Sequence, residues 1–426
     1  MYRRVFFITI LLLPLAIRAE VAAPFSIQEK IDQAEPGAVI VIPPGHYYGN
    51  LVIDKPLTLR GEDLPHIEGE QNGKTIGILA PDVTIDGFRI SHSGLNLSRD
   101  EAGIHVQGDR AVLKNNLIHD SLHGVYVREA NSVEIHDNEI RGIQETAIEN
   151  LSASSPGATD DALCVVGQDR RGNGIHFWNS SGNLITGNRI SNTRDGIYFS
   201  FTSESTIENN HVFATRYGLH YMYSDDNYFA GNLFEDNVAG AALMFSKNVV
   251  VHGNHFTKNS GSRAYGLLLH NVDRSIIQDN DIDGNSTGIY MQDSHANETR
   301  RNRVAHNYVG MRLTSNSTNN LFHNNDIGFN LHNIYLAGRN NNNSWTKDGR
   351  GNIWANAAKL DLDGDGVSEI PHREIDLIGD RRDTFPLISL LTESPALKAL
   401  QFALQRAPIP NTHYITDEYP LTGPSK

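Results

Sequence analysis

Asn188-Arg189-Ile190-Ser191-Asn192-Thr193-Arg194-Asp195-Gly196-Ile197-Tyr198-Phe199 is followed 22 residues later by Asn210-His211-Val212-Phe213-Ala214-Thr215-Arg216-Tyr217-Gly218-Leu219-His220-Tyr221. The frame persists: asparagine recurs at Asn188, Asn210, Asn232, Asn254, Asn280 and Asn302, at intervals of 22, 22, 22, 26 and 22 residues. An apolar residue stands two places after each (Ile190, Val212, Phe234, Phe256, Ile282, Val304), and a glycine follows after 8 residues, or 12 in the fourth case. A fixed period of this length means stacked coils.

With the glycine as position zero, +1 reads Ile175, Ile197, Leu219, Ala241, Leu267, Ile289, and +3 reads Phe177, Phe199, Tyr221, Leu243, Leu269, Met291. Two apolar positions at period two mark a strand with one buried face. A second apolar column lies at +11 (Ile185, Ile207, Phe229, Val251, Ile277), and a third lies two past the asparagine. Three short strands per turn predict an all-β, right-handed parallel β-helix of about ten coils, with neighbouring coils about 4.8 Å apart. The asparagines are expected to face inward and hydrogen-bond from coil to coil. The pattern extends back through Asn116, Gly124 and Asn138 and forward through Asn325 and Asn333-Ile334-Tyr335-Leu336.

Residues 25–34 have the apolar spacing of a short helix that would cap the first open edge, which otherwise invites aggregation. Asn138 and Gly174 are 36 residues apart where 8 are usual, which predicts a loop insertion near 150–172. A contact element and a bland surface excursion both suit it. The β-helix is expected over 20–343. The remainder, 344–426, reads as a carboxyl-terminal cap with an Asp/Gly-rich loop, a helix over 394–406 and a tail from Ala407 extended along a surface.

Arg3-Arg4, the apolar run from Val5 to Ile17 and Arg18-Ala19 have the parts of a secretory signal, so residues 1–19 are expected to be removed on export. The twin arginines leave the export route open. Loss of Arg3, Arg4 and Arg18 takes the formal charge from −14 to −17, a poor match for nucleic acid. Cys164 is the only cysteine, so no intrachain disulfide can form.

If +1 and +3 face inward, +2 and +4 face out. The +2 column reads His105, Tyr126, His176, Tyr198, His220, Ala242, Leu268, Tyr290, Arg312, Tyr335, and is expected to be exposed. In the +4 column Met222, Met244 and His270 fall on three consecutive coils, with His220 two residues from Met222 on the same face. Thioethers and imidazole favour Cu(I) over hard cations, so these four are candidate copper ligands. An apolar docking surface explains the same residues equally well. Asp361, Asp363 and Asp365 alternate as at the start of a calcium loop, but His372 stands where the bidentate glutamate belongs, leaving a weak calcium candidate beside a solvated acidic turn. Sugar cleavage needs two acidic groups about 5 to 10 Å apart. The outward columns contain no Asp or Glu, and Asp195, Asp225, Asp226, Asp279 and Asp281 fall at other phases, where they are expected to close turns.

The strings Gly174-Ile175-His176-Phe177-Trp178-Asn179-Ser180, Thr193–Phe199, Arg216–Asn227, Ala239–Ser246 and Tyr265–Leu269 closely resemble the NosD family, periplasmic maturation proteins of nitrous oxide reductase. The likeness covers nearly the whole mature chain, including Trp354 and the 361–371 segment. It implies a periplasmic, non-enzymatic β-helix that works with an inner-membrane ABC transporter, with nitrous oxide reductase and a copper chaperone as further partners, in assembling the reductase's copper centres. The runner-up is an exported carbohydrate-binding or uronate-modifying β-helix.

Overall fold

The structure is a computed structural model that describes residues 26–143, 171–261, 264–338, 342–376, 394–406 and 413–423. The signal-like segment, most of the 150–172 insertion and Cys164 lie outside the described residues. The rest is a parallel β-helix: three sheets of 12, 13 and 12 strands run the length of the molecule, and every third strand pairs with the next in its own sheet. About twelve coils result, slightly more than the ten expected. The extra turns are at the amino-terminal end, where Phe88 occupies the ladder position later held by asparagine and donates its backbone N–H to Asn116 Oδ1 at 3.0 Å. A coil without the marker residue is not visible to a search for the marker.

The registers follow the apolar columns. Ile185 pairs with Ile207, Ile207 with Phe229 and Phe229 with Val251, all buried. Ile197, Leu219, Ala241 and Leu267 align likewise in the third sheet, which carries the glycine strands. These side chains form one continuous core from Ile27 to Ile415. The glycine column is required by close approach between coils: a Cβ on Gly196 would lie 2.6 Å from the Gly218 carbonyl oxygen, and one on Gly288 2.5 Å from that of Gly310.

The asparagines form the inward ladder. Each Nδ2 donates to Oδ1 of the asparagine one coil on, as in Asn188 to Asn210, Asn210 to Asn232 and Asn232 to Asn254 at 3.0, 3.0 and 2.9 Å. The same Oδ1 also accepts the backbone N–H of the preceding asparagine, and Nδ2 reaches back to a carbonyl such as Ile185 O at 2.9 Å. A second ladder runs through Asn259, Asn285, Asn307 and Asn330. Amides buried at a corner are thus satisfied within the stack, which removes the penalty of about 1–3 kcal/mol that each unpaired group would carry.

Both ends are closed. The helix Ile27–Gln33 buries Ile27 and Ile31 against the first coil, with Ser26 accepting the Glu29 N–H as its N-cap. At the other end Trp345 stacks on Phe322 with ring centroids 4.5 Å apart, and Trp354 is fully buried. Residues 413–417 of the tail, expected to lie along a surface, pair antiparallel with His372–Asp376 and bury Ile415 and Asp417. Asp417 Oδ2 accepts from Asn352 N, Asn352 Nδ2 and Trp354 Nε1 at 2.7, 3.2 and 2.9 Å, so it terminates the asparagine ladder. The helix Pro395–Arg406 packs against strand 372–376, with Leu404 buried and Leu400 and Phe402 exposed.

Candidate functional site

The outward face of the third sheet carries the candidate copper residues. Met222 is the register partner of Met244, and Met244 of His270, so the three occupy adjacent strands in one line. All three are partly exposed. Tyr198 donates its hydroxyl hydrogen to Met222 Sδ at 3.8 Å, and His270 Nε2 has only a long 3.4 Å contact with Asn271 Nδ2. His220 lies two residues before Met222 on the same strand, opposite Ala242.

The surroundings of His220 contain what the sequence reading missed. Asp195 does not close a turn: it is fully buried, receives Arg216 in two parallel hydrogen bonds of 2.9 and 2.8 Å, and lies 2.9 Å from His220 Nδ1. Burial alone would push this carboxyl up, but the hydrogen bonds from His220 and Arg216 more than offset it and hold the group below its ordinary range. A buried carboxylate that orients an imidazole and leaves the far ring nitrogen for a ligand is the usual support of a metal-binding histidine. Of the other four acids, Asp226 and Asp279 take left-handed backbone at turns as expected, with φ of 58° and 57°, whereas Asp281 lies in the strand Asp281–Asp283 and pairs with Arg303; Asp225 Oδ1 accepts the Lys247 N–H.

The +2 column faces outward as expected but is not uniformly exposed. His105 and Tyr126 are 2% and 6% exposed, Ala242 and Leu268 are buried, and His176, Tyr198 and His220 are partly covered. The rings cover one another: His105–Tyr126, Tyr126–His176, His176–Tyr198 and Tyr198–His220 have centroids 5.4, 4.4, 4.5 and 4.8 Å apart. Only His105 and Tyr126 stack; the later pairs meet tilted or edge-on at the coil spacing. Burial pushes the imidazoles of His105 and His123 down to about 3, helped by the nearby cations Lys74 and Arg128 for His105 and Arg194 for His123. His123 is held neutral by its geometry as well, since its Nδ1 accepts the Asn173 N–H at 3.0 Å.

One further column was not singled out in the sequence. Phe201, Tyr223 and Phe245 follow the +4 residues at +5, have φ of 52°, 50° and 53°, and are 54%, 48% and 36% exposed. Left-handed backbone is unfavourable for bulky residues, and it places their rings in a stacked row with spacings of 5.3 and 5.0 Å beside the methionine line. Phe245 meets the His270 ring edge-on at 5.1 Å.

The structure also brings Asp361, Asp363 and Asp365 together, with carboxylate oxygens within 4.8 Å of one another. Those oxygens are engaged by the loop itself. Asp361 accepts Gly364 N and Gly366 N at 2.7 and 3.0 Å, and Asp365 accepts Val367 N at 2.7 Å. The turn therefore closes on its own hydrogen bonds.

A parallel β-helix with a ring-lined outward face and closed ends is an extended platform. The chain belongs to the NosD family. It is 36% identical over 394 residues to the "Probable ABC transporter binding protein NosD" of Pseudomonas aeruginosa, covering 88% of this chain and 86% of that protein. It is 34% identical to the protein of the same description from Stutzerimonas stutzeri, covering 89% and 86%. The family model described as "Periplasmic copper-binding protein (NosD)" matches residues 148–358. That span contains the methionine line and the ring column from His176 onward.

Proposed function

We propose that this protein is a non-enzymatic periplasmic accessory protein that works with an inner-membrane ABC transporter in assembling the copper centre of nitrous oxide reductase. In this reading it receives or positions Cu(I) on Met222, Met244, His270 and His220. The observation that carries it is the alignment of two thioethers and an imidazole on three adjacent strands, next to a histidine oriented by the buried Asp195. Sulfur and nitrogen donors with no carboxylate in the line suit a soft monovalent ion and disfavour calcium or magnesium. Membership of the NosD family supports the periplasmic and transporter-associated parts.

The rigid strands supply pre-positioning, since each donor is fixed by its register. Partial exposure of the line leaves it open to a donor or client protein, and the Phe201, Tyr223 and Phe245 row offers apolar contact beside it. A copper held on an open face can be passed on more readily than one in a closed cage.

Anaerobic titration with Cu(I) against a competing chromophoric chelator is the direct test. Changing Met222 and Met244 together to Leu is expected to weaken Cu(I) binding at least tenfold, about 1.4 kcal/mol. Unchanged affinity would remove the copper site and leave the face as a docking surface only.

A further inference from the structure

We propose that His46, His66 and Glu68 form a second metal site, on a different sheet from the methionine line and in the first coils rather than the middle ones, for a divalent ion of borderline softness, Zn²⁺ or Cu²⁺. Strand His46–Tyr48 pairs with strand His66–Glu68 in the second sheet, placing His46 opposite His66 and Tyr48 opposite Glu68. The intervening Ile67 is fully inward, so the three polar residues share the outward face. One donor atom from each of His46, His66 and Glu68 lies within 4.8 Å of the other two.

The details fit an ion better than a simple ion pair. The two imidazoles stack almost parallel, with centroids 4.5 Å apart and planes 4° from alignment. His46 Nε2 is 2.6 Å from Glu68 Oε2, and His92 Nδ1 is 3.5 Å from the other carboxylate oxygen. Ser91 Oγ reaches His66 Nε2 and His92 Nδ1, each at 2.8 Å, and thereby orients both rings. The His119 ring is 5.9 Å from that of His66. Three imidazoles, those of His46, His66 and His92, gather around Glu68, more nitrogen donors than one carboxylate can pair with, while His119 pairs with Asp120 at 2.8 Å. Outer hydrogen bonds of the kind Ser91 makes are the normal support of ligating histidines.

Two nitrogens and one carboxylate oxygen select Zn²⁺ or Cu²⁺ over Ca²⁺, which prefers oxygen, and over Cu(I), which prefers sulfur. Tetrahedral zinc with metal–ligand distances near 2.1 Å needs donors roughly 3.4 Å apart. A rotamer adjustment of His46, whose side chain is 44% exposed, supplies the contraction. Three protein ligands leave a fourth position open to water or to a donor from another protein.

The test uses Zn²⁺ with the full mature chain, because thioethers bind zinc poorly and the methionine line then stays silent. Competition against a chromophoric chelator is expected to show one equivalent bound, weakened at least tenfold in H46Q and in H66A, and unchanged when Met222 and Met244 are both Leu. His46 lies at the surface, so H46Q keeps the fold, and its melting temperature checks this. With Cu²⁺, the electron spin resonance spectrum should show coupling to two imidazole nitrogens in the parent and one in H46Q. No zinc bound at micromolar concentration, an affinity in both histidine variants equal to that of the parent, or loss of zinc binding in the methionine variant would overturn the assignment.

Discussion

The first coils and the middle coils have one architecture and two different interiors. From Asn188 to Asn325 each turn is marked by a buried amide that bonds to the next, whereas in the earlier coil Phe88 holds that position, with the apolar columns through Leu59, Ile85 and Ile90 running on into the middle coils. The outward chemistry differs in parallel: thioether and stacked rings in the middle, imidazole and carboxylate at the amino-terminal end. A β-helix thus tolerates any interior that matches the coil spacing, and the polar ladder is one solution among several.

Substitutions at equivalent positions test that comparison. Phe88→Ala is expected to cost about 3–5 kcal/mol, the range for truncating a fully buried aromatic ring, read as a fall in the denaturant midpoint. Asn254→Ala leaves Asn232 N, Asn232 Nδ2 and Phe229 O without their partner. At the usual penalty per unpaired group this loses about 3 kcal/mol or more. If Asn254→Ala were harmless while Phe88→Ala unfolded the chain, the ladder would be decoration on an apolar stack.

A smaller effect comes from the ring column. The unfolded chain binds a proton on His105 and on His123 near pH 6.5, and the folded chain refuses it until about 3. Their contribution is intact above 6.5 and is lost progressively as pH falls toward 3, at up to about 1.4 kcal/mol per pH unit for each group. Melting curves between pH 7 and 4 should show this slope. His105→Phe keeps a ring over Tyr126, removes a buried Nδ1 that has no hydrogen-bond partner, and is expected to flatten the slope. The smallest change in stability is expected for Met222→Leu and Met244→Leu, under about 1.5 kcal/mol each by thermal melting, because volume is conserved at partly exposed sites. Set against the tenfold loss of Cu(I) expected for the pair, that mildness would separate a binding role from a structural one.

The sequence disclosed the fold wherever a residue type was confined to one position by geometry. Asn210 is buried and saturated with hydrogen bonds, and Gly196 has a carbonyl where a Cβ would be, so neither position is free to vary widely. Phe88 does the ladder's job by packing, which many apolar residues can do, and the coils around it gave no period. Without that register the neighbours of His46 could not be counted, and the imidazole cluster stayed hidden. The line of Met222, Met244 and His270 was legible because it follows from register alone. The burial of His105 and Tyr126 was not, since ring-on-ring coverage depends on side-chain rotation. Asp195 was misread for a related reason: its partners Arg216 and His220 are one coil away, at 21 and 25 residues. Asp417 meets Asn352 and Trp354 across 65 and 63 residues with no repeat to connect them.

The ladder has a direction. Every side-chain-to-side-chain bond in it runs from Nδ2 to the next coil, beginning after the Phe88 N–H and finishing on Asp417. Viewed as a polymer, the ladder receives its first hydrogen bond from a backbone N–H at one end and gives its last to a carboxylate at the other. A carboxylate can stop such a chain because it receives without giving, whereas an amide at 417 would pass the unmet donor one step further. The short strand 413–417 is therefore a chain terminator. A protein cut before it would leave the Asn352 N–H, Asn352 Nδ2 and Trp354 Nε1 donors without their shared acceptor.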